Sequence, residues 1–156
     1  MKRVLVAVDE TEASRRAAEF VDRFFAGMDV SITAVNVARQ PVEWLPATPY
    51  GGVFAWPWPY RAGADAAGAE EELAQEAVRR AEVRGEAIAA AQAPAGAEIE
   101  VVFGEAVDAI SAAAEDENAD LIVVGSNDKG FLQRLFGGSV SERLAREAPR
   151  PVLVVR

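Results

Sequence analysis

The chain alternates between short, almost unbroken apolar runs and longer stretches in which apolar residues return every third or fourth position. Residues 3–8 (R-V-L-V-A-V) are valine-rich and nearly all apolar, the pattern of a strand buried on both faces. From Glu12 onward Ala13, Ala17, Phe20, Val21, Phe24 and Met28 recur at helical spacing, while Arg15, Arg16, Glu19, Asp22 and Arg23 fill the opposite face. This predicts an amphipathic helix lying on a sheet. Residues 31–37 are strand-like, and 67–92 are rich in alanine and glutamate, predicting a helix that Gly85 weakens without ending. Residues 98–103 predict a third strand, 106 to about 118 a helix with Val107, Ile110 and Ala114 inward, and 120–124 a fourth strand. A short helix over 139–147 and a fifth strand over 151–155 complete the series.

Apolar strands alternating with helices predict a parallel sheet covered on both faces, one doubly wound α/β domain over residues 1–156. One stretch breaks the rhythm. Residues 38–66 form a connection far longer than the two to six residues usual in such folds. All three tryptophans (Trp44, Trp56, Trp58) and both tyrosines (Tyr50, Tyr60) lie there, interleaved with Pro41, Pro46, Pro49, Pro57 and Pro59. Such an insertion reads either as an ordered flap over the sheet or as a surface, 41–60, that docks a protein partner.

Composition narrows the chemistry. The chain has no cysteine and no histidine, which excludes disulfides, Cys/His zinc sites, thiol nucleophiles and imidazole general bases. Its net charge of −9 speaks against a nucleic-acid binder or a protein held to anionic membranes. Five apolar residues between Arg3 and Asp9 are too few for a signal peptide, and no apolar run approaches the roughly 20 residues of a membrane span. A cytoplasmic location is the expectation.

Ligands of open α/β sheets bind beyond the carboxyl ends of the strands, where strand order reverses. Two segments qualify: Asp9-Glu10-Thr11, and Gly125-Ser126-Asn127-Asp128-Lys129-Gly130 running on to Gly137-Gly138-Ser139. The second has the makings of a phosphate cradle, with glycines that permit close approach and a helix opening at Ser139. Residues 129–156 hold six basic side chains against two acidic ones, a local field that attracts phosphate. Ser139-Val140-Ser141-Glu142 is equally a capping box, so phosphate binding and plain helix capping both remain open at this point.

These residues resemble the universal stress protein family. Its members carry a strand, then G-x-x-G, nine residues and G-[ST]; here Gly125, position 128 and Gly138-Ser139 reproduce the spacing. V-V-F-G-E-A-V-D-A-I, A-D-L-I-V-V-G-S, S-V-S-E-R-L-A-R-E-A-P-R-P-V-L-V-V and the N-terminal V-L-V-A-V-D resemble the family's flanking regions. The resemblance implies strand order 3-2-1-4-5 and a homodimer; the apolar strand 151–155, an edge in that order, is where two copies would pair. In one branch of the family it also implies ATP at the switch point, with Asp9 at the ribose or adenine end and the Val37 backbone at the adenine. Gly125, Gly138, Ser139, Val140 and Ser141 would then hold the phosphates, and Lys129 stands where relatives place a lysine.

Two departures bear on that site. Asp128 replaces the motif's second glycine and sets a carboxylate where backbone should meet the triphosphate, which implies weakened binding; Lys129 offsets the charge and Gly130 offers a shifted glycine. Glu10 replaces the glycine usual after the aspartate. Mg²⁺ is the ion that could join such carboxylates to phosphate. The expected function is a stress-response protein with an adenine-nucleotide site and at most slow ATP hydrolysis, since no general base is evident. The alternative is a homodimeric interaction protein of the branch without nucleotide, docking a partner through 41–60.

Overall fold

The computed structural model describes residues 1–39, 64–126 and 140–156, with side chains of the long second helix described from residue 71. Strand β1 (Lys2–Ala7) leads to helix α1 (Glu12–Phe24), β2 (Val30–Ala38), α2 (Ala64–Gln92) and β3 (Glu98–Phe103). Helix α3 (Ala106–Asp116), β4 (Leu121–Gly125), α4 (Val140–Glu147) and β5 (Val152–Val155) follow. The five strands form one sheet in the order β3-β2-β1-β4-β5, and every pairing is parallel.

The alternation along each strand sorts the core into two layers. Leu5, Val35, Ile122 and Val124 pack with Val107, Ile110 and Ala114 of α3 and Leu144 of α4. Val4, Val6, Ala34 and Val123 face the other way, against Ala17 and Val21 of α1 and Ala89 of α2. The sheet is therefore doubly wound, and its order reverses between β2-β1 and β4, which sets the switch point beside the ends of β1 and β4.

Two helical expectations are corrected. Phe25 caps α1 through its N–H to the Val21 carbonyl, and Gly27 then turns the chain at φ +74°, a left-handed conformation that glycine takes without strain. Met28 therefore lies beyond the helix rather than on its buried face, and both it and Phe24 are more than half exposed. Arg16, expected on the solvent face, leans inward instead. Its Nη2 donates to the Ser126 carbonyl at 3.4 Å, and its Nε is buried without a hydrogen-bond partner.

Helix α2 runs straight through Gly85 because the sheet requires glycine there. A Cβ at 85 would lie 2.7 Å from Val101 Cγ1 and 3.1 Å from Asn36 Oδ1. β2 ends at Ala38 and α2 starts at Ala64, three residues before the expected start. The aromatic segment 41–60 lies outside the described residues. No helix among the described residues is long and apolar enough to cross a membrane.

Candidate functional site

The carboxyl ends of β1, β2 and β4 open into one cleft of about 1070 Å³, walled by the first turns of α1, α3 and α4 and by the middle of α2. That is at the upper end of the size range of small-molecule pockets. Asp9, Val37, Gly125, Val140 and Ser141, singled out in the sequence, all line it. Asp128, Lys129, Gly130, Gly138 and Ser139 lie outside the described residues.

Each of these residues has a local reason for its place. Asp9 sits in the turn after β1, where its Oδ1 accepts from the Thr11 N–H at 2.9 Å and from the Thr11 hydroxyl at 2.5 Å. Thr11 in turn caps α1, its Oγ1 accepting from the Ser14 N–H at 3.2 Å. The Asp9 N–H donates to Ser14 Oγ at 2.9 Å, so the turn and the helix start lock each other. Gly125 lies where α1 presses on β4: a Cβ would stand 2.1 Å from the Ala13 carbonyl oxygen. Val140 opens α4 and is partly exposed, whereas Ser141 is buried. The first turn of α4 therefore stands beside the cleft.

Sequence reasoning missed the opposite wall. Arg80 and Arg84 of α2 and Arg39 just past β2 also line the cleft. With Asp9 and Glu10 they leave an excess of one positive charge among the described lining residues, in a chain of net charge −9. The available signal was the i, i+4 spacing of Arg80 and Arg84 beside Ala77, Ala81 and Ile88; which way that face turns depends on the packing of α2. Asn36 was missed as well. It is buried and donates from Nδ2 to the Val8 carbonyl at 2.8 Å, tying the ends of β2 and β1 together beneath the cleft.

Two electrostatic expectations change. Glu10 is not a free carboxylate at the site, because Arg84 Nη2 lies 3.2 Å from its Oε2. Arg143, counted with the basic C-terminal stretch, is bound to Glu105 at 3.0 Å and to Glu147 at 3.5 Å, so its charge belongs to the α3–α4 contact. Burial alone would raise the Glu105 carboxyl; the N–H groups of Val107 and Asp108 and the Arg143 guanidinium outweigh it and hold it below its ordinary range. Gly104, at φ +138°, turns the chain from β3 into this Glu105 cap of α3.

Among the described residues no three or more acidic side chains gather into a metal-holding group. With Asp9 held by Thr11 and Glu10 by Arg84, the described residues do not form a magnesium cage.

Fold and cleft together define a doubly wound α/β protein with a cleft at its topological switch point. The chain belongs to the universal stress protein family, whose model matches residues 52–156. It is 41% identical over 87 residues to a universal stress protein from the sulfhydrylase 3′ region of Thermus aquaticus, a match covering 56% of this chain and 63% of that protein. The chain thus spans less than two thirds of that curated relative. A universal stress protein crystallised with cAMP shares the fold with a TM-score of 0.59 and 23% identity, over 99% of this chain and 97% of that one. One from Archaeoglobus fulgidus in complex with dAMP does so at 0.50 and 19%, over 100% and 98%.

Proposed function

We propose that this universal stress protein is a binding module for an adenine nucleotide, ATP, held in the switch-point cleft, with any hydrolysis slow. One observation carries the reading: Asp9, Val37, Gly125, Val140 and Ser141, drawn from distant parts of the sequence, line a single cleft. The binding of cAMP and dAMP by structural relatives supports an adenine ligand. The adenosine lies toward Asp9 and Val37, and the phosphates lie toward Gly125, the α4 start and the segment Asp128-Lys129-Gly130 with Gly138-Ser139. Mg²⁺ arrives with the nucleotide. The protein acts in the cytoplasm as a homodimer paired through 151–155, whose strand β5 is a half-buried edge.

The test is the melting temperature against ATP concentration, with GTP for comparison, in the native chain and in Asp128→Gly. A ligand at about 100 times its Kd adds about 2.7 kcal/mol of stability, so a rise with ATP, larger in Asp128→Gly, is expected. Curves unmoved by millimolar ATP in both proteins would refute it.

A second reading draws on the same geometry. Gly125 and Asp9 are already required by the packing and capping of α1, so their presence does not by itself demand a nucleotide. On that reading the protein is a homodimeric interaction module that docks a partner through 41–60. Deleting 41–60 would then abolish partner capture while leaving the fold intact.

A further inference from the structure

The α2 wall of the cleft carries charge that the nucleotide reading leaves unused. Arg80 and Arg84 stand one helical turn apart on it, and Arg39, just past the end of β2, lines the same cleft. Their present partners hold them loosely. Arg84 Nη2 reaches Glu10 at 3.2 and 3.4 Å with the two side chains 72% and 65% exposed, and Arg80 Nε reaches Glu76 at 2.8 Å with 78% and 36% exposed. Exposed ion pairs of this kind contribute little net free energy and exchange readily for a better anion. A phosphoryl group, doubly charged and rich in acceptor oxygens, is such an anion for a guanidinium.

The geometry of the sheet separates this wall from the phosphate side. Gly85, next to Arg84, packs on Asn36 of β2 and Val101 of β3, and Gly125 ends β4, with β1 between β2 and β4. The two banks, the α2 backbone and Gly125, therefore lie about two strand spacings, about 10 Å, apart, and Arg84 Nη2 reaches in from its bank to Glu10 after β1. A nucleotide phosphorylated at its 5′ end alone answers one bank. The Glu10–Arg84 pair also borders a second, smaller hollow of about 380 Å³, floored by Ala87, Ile88 and Ala91. A group bound at Arg84 therefore has room beside it. On that floor Gln92 Oε1 is buried with no hydrogen-bond partner.

We infer that Arg84, assisted by Arg80, is a second anion-binding element of the cleft, which selects an adenine nucleotide carrying a further phosphoryl group on its ribose. Glu10 is the internal counter-ion that this group displaces. The inference rests on the adenine-nucleotide reading above and assigns its specificity.

The test is calorimetric titration of the full chain with adenosine 3′,5′-bisphosphate and with AMP, in the native protein, Arg84→Gln and Glu10→Gln. All three side chains at issue are largely exposed, and melting curves confirm that the variants fold. The native protein is expected to prefer the bisphosphate by about tenfold, as a charge-assisted guanidinium–phosphate contact implies. In Arg84→Gln the ratio of the two affinities falls to about twofold or less, and in Glu10→Gln it rises by about threefold as the competing carboxylate is removed. Equal affinities for the two ligands in the native protein, or a preference that survives Arg84→Gln, would overturn the inference while leaving the nucleotide site standing. Failure of either nucleotide, and of ATP, to bind would overturn both.

Discussion

Replacing Gly125 with alanine tests the claim that this motif glycine serves packing before it serves a ligand. Its φ lies outside the left-handed region, so alanine meets no backbone strain and the effect is steric alone. The added Cβ would stand 2.1 Å from the Ala13 carbonyl oxygen, 2.3 Å from the Ala13 carbonyl carbon and 2.9 Å from the Ser14 nitrogen, against the 3.4 Å at which ordinary contact begins. All three atoms are backbone, so no rotamer change relieves the clash, and the start of α1 must shift by about 1 Å relative to β4. Overpacking a tight core costs about 1–3 kcal/mol and sometimes more; a backbone clash in the first turn of α1 belongs at the upper end, about 3 kcal/mol. For a chain of this size that is a fall of about 6–12 °C in melting temperature. The assay is thermal and urea unfolding without nucleotide, beside Gly96→Ala as control. Gly96 has φ +74° and nothing within 4 Å of an added Cβ, so its alanine pays left-handed strain of about 1 kcal/mol. A Gly125→Ala protein as stable as the native chain, or no less stable than Gly96→Ala, would refute the reasoning.

Three other outcomes follow from the same contacts. Gly85→Ala gains about 1 kcal/mol of helix propensity but drives a Cβ to 2.7 Å from Val101 Cγ1, so a net loss is expected that Val101→Ala relieves in the double variant; additive effects in urea unfolding would contradict it. Burial first, and then Glu117 and Asp116, raise the Glu100 carboxyl above its ordinary 4.5. The folded state therefore binds that proton more tightly than the unfolded chain, and the ionised carboxylate weakens the fold at neutral pH. Glu100→Gln should accordingly raise the melting temperature at pH 7, with the gain fading as the pH falls through the raised folded value toward 4.5 and below, and a pH-independent difference would count against that origin. Sedimentation at micromolar concentration should give twice the 16.6 kDa chain mass, and a single species of chain mass would dispose of the edge-strand dimer.

What could be read from the chain in advance follows from where the information lies. The strands were legible because each is an apolar run with turn residues at its ends, and the boundaries of β3 matched to the residue. The strand order was not in the periodicity; it came with the resemblance. Helix α1 was placed correctly, but Met28 was not, since helical spacing continues in sequence past the Phe25 cap and the Gly27 turn. At the site, Asp9 and Gly125 were found as motif members, while their structural duties depend on how α1 docks on β4, which spacing cannot show. The Glu10–Arg84 pair joins residues 74 positions apart, across a connection whose length hides the register of α2 and with it the face that carries Arg80 and Arg84. Asn36 read as one polar residue in a strand, and its reason, the Val8 carbonyl, is a tertiary contact.

The central claim is that the cleft beside β1 and β4 holds an adenine nucleotide, and calorimetric titration of the purified, nucleotide-stripped full chain with ATP and Mg²⁺ tests it most directly. Saturable binding with a micromolar Kd and one site per chain is the predicted result. Absence of any binding heat up to millimolar ATP, in the native chain and equally after Asp128→Gly, would contradict it.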